Sequence, residues 1–313
     1  MFKQILVPLD GSARAEQALP VAACLARATD GTVKLIKVVS PPTTDFIRSV
    51  GTVVLPDLLE EDVQAAQEYL EGISRASCLE GVRTAREVHI GHPAQTIIAT
   101  AKAGNSDLIV MCSHGQTNRV RWSLGSIAEK VARYAPCPVF IMREGSAFAT
   151  KMEAVPRGSI RILVPLDGSE HAEAAIMPAA WLVSTLSESA QGELHLTRVV
   201  SARDAEVSNV DEEEVARTRQ YLRSTVERLQ QQPPTVGGVP LDLSITWSVT
   251  VASDAASGIN RSTEKRAPAE HDEGSHVIAM ATHGWGGPQL WAVGSTTERV
   301  LQTAWQPLLI MRR

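Results

Sequence analysis

No apolar run in the 313-residue chain reaches the roughly 18 to 20 residues that a membrane-spanning helix needs. The opening stretch MFKQILVPLDGS has too short an apolar segment to read as a signal peptide, and the chain is therefore expected to be cytoplasmic. Positive charge is also short. Thirty Lys and Arg stand against 35 Asp and Glu, a net charge of −5, whereas a protein that works by neutralising phosphates along a nucleic acid carries a clear cationic excess. Nucleic acid and membrane are both excluded as expected partners. Cysteine is sparse, and Cys24, Cys78, Cys112 and Cys137 all fall in the first half without CxxC spacing, which suits reduced core thiols rather than a disulfide framework or a zinc site.

What is present is ordinary globular material, 44% hydrophobic and 21% charged, at a length that suggests two domains. An internal repeat makes that count definite. Ile5-Leu-Val-Pro-Leu-Asp-Gly-Ser12 recurs letter for letter as Ile162-Leu-Val-Pro-Leu-Asp-Gly-Ser169, at an offset of 157. Further on, Ser113-His114-Gly115 with Gly125-Ser126 matches Thr282-His283-Gly284 with Gly294-Ser295 at an offset of 169, so the second copy carries a net insertion of twelve residues. Val38-Val39-Ser40 matches Val199-Val200-Ser201, and the closing runs Pro138-Val-Phe-Ile-Met142 and Pro307-Leu-Leu-Ile-Met311 match as well. The chain is a tandem duplication joined by a Gly-, Ala-, Ser- and Pro-rich stretch near Arg143 to Ser159. The halves differ in charge: residues 1–150 balance at 15 and 15, and the whole acidic excess lies in residues 151–313.

Within each copy, short apolar, largely β-branched runs read as strands buried on both faces of a parallel sheet, here Ile5–Leu9, Val33–Val39, Leu108–Met111 and Val139–Met142. Helical periodicity covers Ala13–Ala28 and Asp57–Ile73, with Ser12 placed to cap the first helix. This alternation predicts an α/β fold with doubly wound layers, in which ligands sit beyond the carboxyl ends of the strands where the winding reverses. Two motifs fall at that end. Asp10 and Asp167 place a carboxylate beside a glycine turn, readable either as a ligand contact or as turn and cap chemistry. Gly115, Gly125 and Ser126, and in the second copy Gly284, Gly294, Ser295 and Thr296, form a glycine loop opening onto a helix N-terminus, which is a setting for phosphate.

With these motifs in view the chain resembles the universal stress proteins in their tandem two-domain form, over nearly its whole length. The resemblance implies two tandem doubly wound, Rossmann-like (adenine nucleotide alpha hydrolase-like) domains. Each is a five-stranded, mainly parallel sheet flanked by helices, at 1–145 and 160–313 with a linker at 146–159. In the nucleotide-binding branch the pattern is Gly-x-x-Gly-x9-Gly-Ser/Thr. Carried over, Asp10 and Asp167 would touch the ribose or metal-bound phosphates, Val38 and Val199 the adenine, and Met111 and Met280 would line the pocket with Pro8 and Pro165. Gly115, Gly125, Ser126 and Ile127, and Gly284, Gly294, Ser295 and Thr296, would hold the phosphates. The implied ligand is ATP with Mg2+.

The chain departs from the pattern at the leading glycine, where Cys112 and Ala281 stand, and a side chain there could either crowd the ligand or point away. The second loop carries Trp285 and Trp291, which could stack on a base or pack locally, and the segment Glu264–Gly274 reads as a solvated insertion. On these grounds the first half is the expected nucleotide binder. His114 and His283 come without a nucleophile and acid at triad spacing, and His89, His92, His271 and His276 without a metal-ligand set, so no catalytic or metal site is expected. The first reading is a stress-response nucleotide-binding module with weak ATP hydrolysis at most. A second is a nucleotide-free interaction module, its halves pairing as an internal pseudo-dimer through the terminal strands Val139–Met142 and Leu308–Met311 and the chain forming a homodimer through surface strands or loops. A third, an adenylate-transferring enzyme, lacks the His-x-Gly-His and Ser-Gly-Gly-x-Asp-Ser runs it would need.

Overall fold

The structure is a computed structural model that describes residues 2–41, 55–115, 124–143, 148–153, 159–187, 192–202, 212–263, 276–282 and 294–312. It divides into two compact units that correspond closely to the two repeats.

In the first unit the strands are β1 (Gln4–Leu9), β2 (Thr32–Val39), β3 (Arg83–Ile90), β4 (Leu108–Cys112) and β5 (Val139–Met142). They pair in parallel in the order β3-β2-β1-β4-β5. The central runs are buried because they are apolar on both faces: Ile5, Leu6 and Val7 of β1 and Leu108, Ile109 and Val110 of β4 are all inaccessible to solvent. Right-handed crossovers place the helices Leu19–Thr29 and Leu55–Ser74 on one face and Pro93–Ala103 and Ser126–Tyr134 on the other. Winding reverses between β1 and β4. Their ladder ends after Leu6 pairs with Ile109, and Pro8, which has no N–H to donate, lies beyond its last rung, so a crevice opens there.

The second unit repeats the plan with β6 (Arg161–Pro165) and β7 (Gly192–Ser201), a small antiparallel pair β8 (Thr235–Val236) and β9 (Val239–Pro240), then β10 (Leu243–Ala252), β11 (Val277–Ala281) and β12 (Leu308–Met311). Its parallel order is β10-β7-β6-β11-β12. Among the described residues no helix is long and apolar enough to cross a membrane.

Two local readings need correction. The helix expected over Ala13–Ala28 is two, Ala13–Glu16 and Leu19–Thr29. Pro20 in the first turn of the second helix cannot donate to the Glu16 carbonyl and its ring would clash there, so the chain restarts. Pro178 has the same effect in the second unit, where Glu170–Glu173 and Ile176–Leu186 are separate. The edge strand β3 also went unread. Its sequence RTAREVHI is polar and half-exposed, as an edge strand protected against further pairing must be.

Candidate functional site

The crevice of the first unit is a cavity of about 580 Å³, a size typical of small-molecule sites. Pro8, Asp10, Val38, Met111, Gly115, Gly125, Ser126 and Ile127 all line it, so the first-copy residues that the resemblance assigns to a ligand are brought to one place.

The Asp10 turn is built locally. Gly11 takes φ 93°, a left-handed conformation in which an ordinary side chain is strained. That turn lets the Ser12 backbone N–H (2.9 Å) and hydroxyl (2.6 Å) both donate to Asp10 Oδ1. The same hydroxyl oxygen accepts from the Ala15 N–H at 3.2 Å and caps the helix. Turn and cap chemistry is therefore real, and it fixes the carboxylate at the cavity wall. Asp10 then lies directly against Gly115: a β-carbon on Gly115 would stand 1.7 Å from Asp10 Oδ2. Only glycine allows the two loops this approach.

Opposite, Gly125 is the N-cap of Ser126–Tyr134 and no side chain caps it. The first N–H groups of that helix have no partner within the helix, and with its dipole they favour an anion. A β-carbon on Gly125 would meet the Ser113 carbonyl oxygen at 2.6 Å, the same carbonyl that accepts the Gly125 N–H at 2.9 Å. Val38, Met111, Pro93 and Ile97 supply an apolar flank between β2, β4 and the helix Pro93–Ala103.

Cys112, standing where the motif has its leading glycine, also lines the cavity, its thiol 3.8 Å from the Ala15 carbonyl oxygen. Burial pushes that thiol up to about 12, so it is neutral at physiological pH and no activated nucleophile. None of the four cysteines, all among the described residues, is in a disulfide. His114 is buried in the turn, its Nδ1 3.2 Å from the Ser113 hydroxyl. Among the described residues no three His, Cys, Asp or Glu side chains form a metal-binding group.

Four residues escaped the sequence reading. Lys37 and Asp62 line the cavity, and the Lys37 ammonium lies 4.6 Å from the centre of the Tyr69 ring. The Tyr69 hydroxyl donates to Glu16 at 2.9 Å. A signal was available in the repeat, since Lys37-Val38-Val39 aligns with Arg198-Val199-Val200 and Glu16 with Glu173.

In the second unit the Asp167 turn is the same: Ser169 donates to Asp167 through its N–H (2.9 Å) and hydroxyl (2.6 Å), and Gly168 takes φ 91°. Gly294 caps Ser295–Thr303, bringing Ser295 and Thr296 to that helix start, and Met280 is buried at the end of β11. Around this turn the side chains of β7 pack closely. Arg198 lies against Gly168, its Nη1 3.0 Å from where a β-carbon would stand, and Val199 abuts Gly258. Pro165 ends β6. Gly284, His271, His283, Trp285, Trp291 and the segment 264–274 lie outside the described residues.

Comparison with known proteins gives a consistent result. The family model described as the universal stress protein family matches twice, at residues 1–143 and 160–312. A universal stress protein of Methanocaldococcus jannaschii is 32% identical over 145 residues, 46% of this chain and 84% of that protein. One from Thermus aquaticus is 33% identical over 144 residues, 46% of this chain and 100% of its own length. Among solved structures, a universal stress protein from Archaeoglobus fulgidus superposes with a TM-score of 0.66 at 19% identity, over 99% of this chain and 96% of that one. A protein described as a putative universal stress protein from Pseudomonas aeruginosa does so at 0.62 and 20% identity, covering 99% and 93%. These two show a shared two-unit fold.

Proposed function

The chain belongs to the universal stress protein family, in tandem form, and from that premise we propose that its first half binds an adenine nucleotide, ATP with Mg2+, as a cytoplasmic regulatory module rather than an enzyme. What carries the reading is the convergence on one cavity of a fixed carboxylate, a glycine cradle and an uncapped helix N-terminus beside an apolar flank.

The parts fit the ligand. Val38, with Met111 and Ile97, offers the flat apolar surface an adenine ring needs. Asp10 would take a ribose hydroxyl or the magnesium ion that accompanies the phosphates. The backbone N–H groups at Ser126 and Ile127, with the Ser126 hydroxyl, would hold phosphate oxygens. Gly115 leaves the room that lets Asp10 and this helix start face the same ligand. The second half keeps the Asp167 turn and the Gly294 helix start, but its sequence carries Trp285 and Trp291 in the glycine loop and the added segment 264–274 before it. It is read as the weaker site.

Equilibrium dialysis with ATP and magnesium tests this, with one tightly bound nucleotide per chain as the expected result. A chain that binds none up to millimolar ATP overturns the reading.

A further inference from the structure

We infer that Lys37 is the phosphate-recognising cation of the first-half site, held ready by Tyr69 and Glu16, so that the site selects for a charged phosphate chain and not merely for a nucleoside. The inference rests on the nucleotide reading and adds to it a residue outside the glycine motif.

The cavity's described charged lining is unbalanced. Asp10 and Asp62 are carboxylates, and Lys37 is the one lysine or arginine among the described lining residues. A polyphosphate brings several negative charges of its own. The partial positive charge of one helix end is about half an elementary charge, too little to offset them. An ammonium with open hydrogen-bonding capacity is the side chain such a ligand calls for, since charge-assisted bonds to phosphate are the strong ones.

Lys37 has that capacity. Its ammonium meets the Asp10 carbonyl oxygen at 3.4 Å, beyond the usual length of an N–H···O bond, and the face of Tyr69 at 4.6 Å. Among the described residues no carboxylate pairs with it. Lys34, three residues earlier on the same strand but on its other face, shows what a satisfied lysine looks like here, with Glu87 at 2.7 Å. Lys37 instead faces the Asp10-Gly11-Ser12 turn, beside the carboxylate that borders the glycine cradle.

Its supports come from two other elements. Tyr69 is on the long helix Leu55–Ser74 and Glu16 ends the short helix Ala13–Glu16. The Tyr69–Glu16 hydrogen bond at 2.9 Å orients the ring beneath the ammonium. The second unit builds the trio again: the Arg198 guanidinium lies 5.4 Å from the Tyr221 ring centre, and the Tyr221 hydroxyl donates to Glu173 at 2.8 Å. Two halves that have diverged around their glycine loops have kept a cation at this place, which a mere packing role would not require.

The test is isothermal titration of wild type, Lys37→Met and Lys37→Arg with ATP and with adenosine. Loss of ATP affinity by tenfold or more in Lys37→Met, with adenosine affinity within twofold and Lys37→Arg recovering most of the loss, supports the inference. Equal weakening toward both ligands would mean that Lys37 only props the fold and would overturn it. So would unchanged ATP binding in Lys37→Met, while leaving the nucleotide reading in place. Wild type that fails to bind either ligand overturns both. Should Lys37→Met fail to fold, Lys37→Gln and the wild-type ratio of ATP to adenosine affinity decide instead: a ratio near one overturns the inference.

Discussion

At the scale of single residues, the contact between Gly115 and Asp10 is the most exacting feature of the site. Gly115→Ala would put a methyl group where Asp10 Oδ2 stands, 1.7 Å away, so the carboxylate must leave its place. We expect a loss of about 1 to 3 kcal/mol in stability, the usual cost of overpacking, together with loss of nucleotide binding. The double variant with Asp10→Ala should cost less in stability than the two single changes combined, because the clash disappears with the carboxylate; denaturant titration of the four proteins checks this. Cys112 offers a second check. Since burial raises Cys112 and Cys137 each to about 12, both should resist a thiol reagent at pH 8 in the folded protein, and unfolding should expose all four cysteines. Rapid labelling of Cys112 in the folded protein would contradict the geometry described.

At the scale of elements, caps and breaks decide where the ligand loops lie. Ser12 and Ser169 each cap a short helix and hold an aspartate, so replacing either by alanine should lower stability by about 1 kcal/mol. In the first half the change should also weaken nucleotide binding, since Asp10 loses the Ser12 hydroxyl bond and keeps only the backbone one; thermal melts with and without ATP separate the effects. Pro20 and Pro178 were visible in the sequence, yet helical periodicity ran straight across them. The steric veto of proline on the preceding turn outweighs a favourable apolar spacing. The polar edge strand β3 was missed for the converse reason, as its alternation is masked by charges that shield an open edge. One of those charges makes a prediction about pH. The hydrogen bond from Lys34 holds the Glu87 carboxyl below its ordinary range, so the folded state binds fewer protons than the unfolded one as the carboxyl titrates. Stability from this pair is present above the unfolded carboxyl's range and is lost as pH falls through the lowered one. Lys34→Met should flatten that part of the stability profile, as measured by denaturant midpoints between pH 3 and 6.

At the scale of the whole molecule, the duplication sets two sites of common origin against each other. We expect one nucleotide per chain by titration, abolished by Asp10→Ala and retained in Asp167→Ala. Saturating ligand at a hundred times its dissociation constant should add about 2.7 kcal/mol to the stability of the unit that binds it. If that gain follows Asp167 instead, the assignment of the working site to the first half is wrong.

The sequence by itself determined the duplication, the parallel α/β class and the two motifs of each copy, because strand hydrophobicity, glycine turns and serine caps are local properties written in consecutive residues. Only the tertiary structure decided that Asp10 rests on Gly115, that the Cys112 thiol turns toward Ala15, and that Lys37, Tyr69 and Glu16 meet. Those pairings join residues on separate elements, and their distances follow from the sheet order, which brings β1 beside β4 and lays the long helix over β2. Charge shows the same division. The sequence located the acidic excess in the second half, whereas the fold showed that the described lining of the first-half cavity brings together Asp10, Asp62 and Lys37 from separate elements.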